Sequence, residues 1–143
     1  MSDNSGKNRA CTILIAEDDP DDRLIIKAAF DAGGISHLVR FVNDGEELMD
    51  YLREKENSFG RLPRHILVLD LNMPRKDGRI ALMEIRQNHG LDHLPVVVLT
   101  TSGAQQDKDY CSRLGISNYM VKPSDFDGFL HFAKTIDKIC ESA

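Results

Sequence analysis

Two kinds of apolar pattern alternate along the chain. Thr12 to Ala16, His37 to Val42, Ile66 to Leu69, Pro95 to Leu99 and Ser117 to Val121 are short, largely apolar segments bounded by turn or helix signals, and each predicts a strand. Between them, apolar residues recur at helical spacing. Leu24, Ile25, Ala28 and Ala29 form the first such stripe, Leu48, Met49 and Leu52 the second, and Ile80, Met83 and Ile85 a third within Arg79 to Asn88. Ala104 to Leu114 predicts a polar helix closed by Gly115. Phe126, Phe129, Ala133, Ile136 and Cys140 predict a strongly apolar last one.

Capping and turn residues support this division. Asp19 is placed to cap a helix that opens on Pro20, with Asp21 and Asp22 in the favourable field of its first turn, and Gly33-Gly34 ends it. Asn43-Asp44-Gly45 turns the chain into the second helix. Arg53 to Arg64 is polar, with Gly60 and Pro63, and predicts a long surface loop with the last helical turn at its start. Ser124 with Asp127 predicts a cap for the last helix. Strand and helix thus alternate about five times. This predicts an α/β domain, a doubly wound five-stranded parallel sheet, with the flavodoxin-like order 2-1-3-4-5 preferred under the right-handed crossover rule.

The stretch Ile66 to Gly78 organises the rest. Ile66-Leu67-Val68-Leu69 shows no polar alternation, as expected of a strand buried on both faces, and Asp70 ends it. Met73-Pro74 and Lys76-Asp77-Gly78 forbid an immediate helix, so the carboxylate is presented from a rigid strand to a loop. In open parallel sheets, ligands bind outside the carboxyl ends of the strands.

At 143 residues and a formal net charge of −5, the chain is about one domain with scattered positive residues, which argues against a nucleic-acid surface. Residues 1–10 are expected to be a disordered arm and 11–143 the folded domain. No apolar run approaches the ~20 residues that span a bilayer, and Met1 to Arg9 lacks the apolar segment of a signal peptide. A soluble cytoplasmic protein follows as the expectation. Cys11, Cys111 and Cys140 are odd in number without a CxxC spacing, so buried reduced thiols are expected.

Ordered this way, the strand ends bring Glu17, Asp18, Asp70, Thr100 and Lys122 around one crevice. Two carboxylates ~5 Å apart repel by ~3 kcal/mol at an effective dielectric near 20, so a cluster of acids calls for a cation or raised pKa values. Oxygen ligands at a partly open site favour Mg²⁺, which binds through one or two carboxylates plus a phosphate. A carboxylate can itself be the nucleophile in phosphoryl transfer, and Asp70 is the candidate. Lys122 and Mg²⁺ would offset charge on the phosphoryl oxygens while the Thr100 hydroxyl donates a hydrogen bond.

These residues, in this order, resemble the receiver domains of two-component response regulators over about Cys11 to Cys140. The acidic pair Glu17-Asp18, Asp70 within Asp-Leu-Asn-Met-Pro, Gly78, Thr100 and Lys122-Pro123 carry the resemblance. It implies phosphorylation of Asp70 by a phosphohistidine on a sensor histidine kinase, in a signalling domain rather than an enzyme proper. It also implies Mg²⁺ held by Asp18, Asp70 and the Asn72 carbonyl, with Glu17 acting through water, a Thr100–Tyr119 switch, and a cis Lys122–Pro123 bond. Homodimerisation through the fourth helix, fifth strand and fifth helix is the implied way for a chain ending after its fifth helix to pass on the signal. Arg75-Lys76-Asp77-Gly78-Arg79, Leu99-Thr100-Thr101-Ser102 and the 53–64 stretch are similar to small regulators that partner bacterial phytochromes.

Thr101 departs from the alanine or glycine usual after the hydroxyl, and implies narrower access to the phosphoryl group. A haloacid-dehalogenase-like phosphatase would need a general acid two residues after its nucleophile, where this chain has Asn72. A flavodoxin-type cofactor carrier would need a glycine- or hydroxyl-rich first loop, and Glu17-Asp18-Asp19 would repel its phosphate.

Overall fold

A computed structural model describes residues 11–142. The expected arm at 1–10 lies outside the described residues. Five strands alternate with five helices: β1 (Thr12–Ala16), α1 (Pro20–Ala32), β2 (Leu38–Val42), α2 (Gly45–Phe59), β3 (His65–Leu69), α3 (Gly78–Gln87), β4 (Val96–Thr100), α4 (Gln105–Arg113), β5 (Asn118–Val121) and α5 (Phe126–Ser142). The strands form one parallel sheet in the order β2-β1-β3-β4-β5, as the periodicity predicts. Every residue of β3 and β4 is buried, because helices cover both faces of the sheet.

Side chains leaving the two faces build two cores. Leu14, Leu67, Leu69 and Val98 pack with Leu48 and Leu52 of α2, Leu82 and Ile85 of α3 and Cys111 of α4. Ile13, Ile15, Val68 and Val97 pack on the opposite face with Ile26 and Phe30 of α1 and with Phe129, Phe132 and Ile136 of α5.

Helix rotation departs from the expected stripes. In α1, Ile26, Ala29 and Phe30 are buried, whereas Leu24 is 68% exposed and Ile25 is also at the surface. Both sets have helical spacing, so periodicity alone does not choose between them. Arg23, which donates from Nε to the Glu17 carbonyl at 2.7 Å, ties the helix in its observed rotation. Likewise α3 buries Gly78, Ala81, Leu82 and Ile85 and exposes Ile80 and Met83. A side chain at Gly78 would collide with the Asp70 carbonyl, so this close approach sets which face of α3 turns inward. In α5 the structure adds Phe132 to the core and leaves Phe126 exposed.

Three further expectations are corrected. Most of the 53–64 stretch is helix rather than loop, since α2 runs on to Phe59 and stops at Gly60 in the left-handed region at φ 78°. Its second half is polar because it lies at the surface, with Ser58 Oγ donating to Glu54 at 2.8 Å. The α5 cap is Asp125, which accepts from the Gly128 amide at 2.8 Å, not Ser124. Finally, Cys11 and Cys140 are joined in a disulfide, while Cys111 is free and buried. The two residues are 129 positions apart, and only the packing of α5 beside the start of β1 brings their Cα atoms to 6.0 Å. Among the described residues, no helix is long and apolar enough to cross a membrane.

Candidate phosphoacceptor site

The site lies at the carboxyl ends of β1, β3, β4 and β5. Three of its residues stand just beyond a strand, yet their amides still bond to the neighbouring strand. Glu17 N–H donates to the Val42 carbonyl at 3.0 Å, Asp70 N–H to Ala16 at 3.1 Å and Lys122 N–H to Thr100 at 2.8 Å. The sheet therefore holds these side chains as rigidly as strand residues.

Glu17 and Asp70 are buried and Asp18 is exposed, and carboxylate oxygens of all three lie within 4.8 Å of one another. The Lys122 ammonium reaches Glu17 at 2.8 Å and Asp70 at 3.0 Å. It also reaches Asp22 at 2.7 Å. Three carboxylates on one ammonium, with Asp18 beside two of them, leave a formal charge of −3. Burial raises the Glu17 pKa against the opposing bond from Lys122. Burial also works most strongly against the Lys122 charge, but its bonds to Asp22, Glu17 and Asp70 together outweigh it, and the ammonium is held protonated. Such a surplus of oxygen donors fits a hard divalent cation.

Two backbone amides complete the acidic wall. Asp19 N–H donates to Glu17 Oε2 at 3.0 Å, and Asn72 N–H donates to Asp70 Oδ1 at 3.1 Å. The second bond holds the Asn72 backbone, in the β3–α3 loop, beside Asp70. Arg75 in that loop takes a left-handed conformation at φ 68°. All peptide bonds among the described residues are trans, which corrects the cis expectation for Lys122–Pro123. The lysine reaches the acids without it because the Lys122–Thr100 ladder bond already points the side chain to this end of the sheet.

Thr100 is fully buried at the end of β4, and its hydroxyl accepts weakly from Ser102 N–H at 3.4 Å. Thr101 is exposed at the mouth, with Oγ1 3.5 Å from Asn72 Nδ2. Tyr119 is half-buried and donates its hydroxyl proton to the Ser102 carbonyl at 2.8 Å, so it is tied to the loop that follows Thr100. Glu17, Asp18, Asp70, Thr100 and Lys122 thus lie at one end of the sheet, Asn72 is bonded to Asp70 through its amide, and Tyr119 is bonded to the loop after Thr100.

Two features were not legible in the order of residues. Asp22 has a sufficient local explanation in the first turn of α1, and nothing in the sequence links it to Lys122, 100 positions away. Arg79 and Asp107 form a two-pronged ion pair that joins α3 to α4. An arginine directly after the glycine that opens α3 is the only local signal for it.

The family profile of the response regulator receiver domain matches residues 13–134. The response regulator Rcp1 of Synechocystis is 33% identical over 138 residues, covering 96% of this chain and 92% of its own. A solved Mn²⁺-bound form of Rcp1 superposes with a TM-score of 0.77 at 31% identity, over 92% of this chain and 95% of that one. The phosphorylated cyanobacterial phytochrome response regulator RcpA superposes with a TM-score of 0.81 at 33% identity, over 94% and 96% of the two chains. A probable methanogenesis regulatory protein, FilR2 of Methanothrix harundinacea, is 34% identical over 129 residues, covering 90% of this chain and 81% of its own.

Proposed function

The chain belongs to the response regulator receiver domain family of two-component signalling, and on that premise we propose that Asp70 accepts a phosphoryl group from a phosphohistidine of a sensor histidine kinase. The supporting observation is the buried Asp70 carboxylate, held 3.0 Å from the Lys122 ammonium and within a cluster of acidic oxygens. An Asp70 oxygen attacks phosphorus as the phosphorus–nitrogen bond breaks, and the bonding pair leaves with the imidazole, which takes up a proton. Lys122 offsets charge on the phosphoryl oxygens, and Thr100 donates its hydroxyl proton to one of them.

Asp18, Asp70 and the Asn72 carbonyl are the residues that would hold Mg²⁺, with Glu17 acting through water. When bound, that ion supplies the positive charge that lets a phosphoryl dianion enter an acidic crevice. The exposed Thr101, with its Oγ1 3.5 Å from Asn72 Nδ2, supports a narrowed approach for water and slow hydrolysis of the acyl phosphate. The domain therefore assists its own phosphorylation and slow dephosphorylation without being a turnover enzyme.

The likeness to the phytochrome response regulator RcpA favours a phytochrome-like kinase as donor, and the near full-length match to Rcp1 and RcpA favours a stand-alone regulator, which as a histidine kinase's acceptor would work in the cytoplasm. Once Asp70 is phosphorylated, Thr100 is drawn toward the new oxygens and Tyr119 follows the loop to which it is bonded. Val121 of β5 and Phe126 of α5 are exposed apolar residues, which favours a homodimer through α4, β5 and α5. Incubation with acetyl phosphate and Mg²⁺ tests the assignment. The parent is expected to retain about one phosphoryl group, and Asp70→Asn none. Equal labelling of the two would refute Asp70 as the acceptor.

A further inference from the structure

α4 is held to the domain in an unusual way. Its sequence Gln-Gln-Asp-Lys-Asp-Tyr-Cys-Ser-Arg buries only Asp107 and Cys111, and no side chain caps its first turn. One of its two buried residues is therefore a charged group. Asp107 Oδ1 and Oδ2 accept from Arg79 Nε and Nη2 at 2.7 and 2.8 Å, a paired geometry that a planar guanidinium alone provides. Asp107 Oδ2 also accepts from Ser102 Oγ at 2.5 Å.

Arg79 reaches the other side as well. Its Nη1 donates to both Asp77 oxygens at 3.0 and 3.2 Å, and approaches the Leu71 carbonyl at 3.4 Å and Asn72 Oδ1 at 3.5 Å. The Arg79 carbonyl in turn accepts from the Tyr110 hydroxyl of α4 at 3.0 Å. One guanidinium thus touches the loop that follows Asp70 and, through Asp107, holds the loop that follows Thr100. That second loop also carries the carbonyl bonded by Tyr119.

We infer that Arg79 is a positioning residue for the phosphorylation switch, coupling the Asp70 and Thr100 loops to α4 through Asp107 and holding α4 in its unphosphorylated place. The inference rests on the receiver reading above and extends it to this chain's own linkage. Any movement of Thr100 toward a phosphoryl group has to carry Ser102, and Ser102 is fastened to Asp107. With the ion pair intact, the loop and α4 move together. Without it, the loop moves alone and against less resistance.

The test uses Arg79→Gln, Asp107→Asn and the double variant in the full chain, with acetyl phosphate and Mg²⁺ for the rate of Asp70 labelling per folded molecule. Beryllofluoride with Mg²⁺, read by amide chemical shifts at residues 105–113, reports on α4. Each single variant is expected to label roughly threefold faster or more, the double no faster than either single, and the α4 shifts are expected to shrink in all of them. Arg79→Lys keeps the charge but not the fork, and is expected to fall between parent and Arg79→Gln. It also serves as the second variant should Arg79→Gln fail to fold. A purely structural pair would lower the melting temperature and leave labelling and α4 shifts as in the parent, which would overturn the inference. A parent that takes no label would overturn the receiver reading, and the inference with it.

Discussion

α5 and α4 lie on opposite faces of the sheet and are fastened by different forces. α5 buries Phe129, Phe132, Ala133, Ile136 and Cys140 against α1 and the strands, and Cys140 is covalently joined to Cys11. α4 buries only Cys111 and the ion-paired Asp107, rests the half-buried Tyr110 and Leu114 on the core, and is otherwise tied by polar bonds that involve Ser102, the Tyr110 hydroxyl and Arg86. Apolar burial is spread over many small contacts and has no preferred direction, so a helix held by it loses stability steadily as it shifts. Directional polar bonds are either made or broken. A helix held by a few of them has discrete positions, which is the property a switch needs.

The largest expected effect tests the α5 side. Phe132 is fully buried and stacks on Phe30 with ring centroids 6.2 Å apart, so Phe132→Ala should cost about 3–5 kcal/mol in urea unfolding. Labelling of Asp70 per folded molecule should stay at the parent's level, and a change in it would mean that α5 is no passive frame. The disulfide comes next. Closing a separation of 129 residues, it should contribute about 2–5 kcal/mol, seen as a lower melting temperature on adding dithiothreitol or in Cys140→Ser. Melting that ignores the reductant would remove the covalent tether from the comparison.

The smallest effect concerns pH and belongs to α4 alone. The bonds from Arg79 and Ser102 hold the Asp107 carboxyl at about 2, below its ordinary value of 3.8. A depressed acid adds stability above its unfolded pKa and loses it as pH falls through the folded one, so the α4 anchor should persist to about pH 4 and disappear toward pH 2. Amide exchange measured from pH 5 downward should then rise in 105–113 before it rises in 126–142. Simultaneous loosening of both helices would erase the distinction drawn between them.

Much of the molecule is legible in the amino-acid sequence. Unbroken aliphatic runs report burial on both faces of a strand, because a residue in a parallel sheet meets helices on either side, and so β3 and β4 were plain. Asp70 and Thr100 stand out because each is the first functional group after such a run, Lys122 because it ends the last strand, and the sheet's ladder bonds hold such residues in place. Asp19 before Pro20 was equally plain, since a cap is a local hydrogen bond to Asp21 and Asp22 amides.

The order of elements and the strand ends at which charge collects are written in the residue order, because both depend on interactions between residues near one another along the chain. Tertiary structure alone decided the rest. Leu24, Ile25, Ile80 and Met83 have the spacing of core residues, yet the rotation of α1 and α3 is set by Arg23 on Glu17 and by Gly78 beneath Asp70. Ser58 and its polar neighbours continue a helix whose exposed turns need no apolar stripe, so nothing in their pattern separates helix from loop. Cys11 with Cys140, Asp22 with Lys122 and Arg79 with Asp107 are pairs 129, 100 and 28 residues apart. Their energy depends on distance and direction in space, which are defined only after the sheet has closed and the helices have packed.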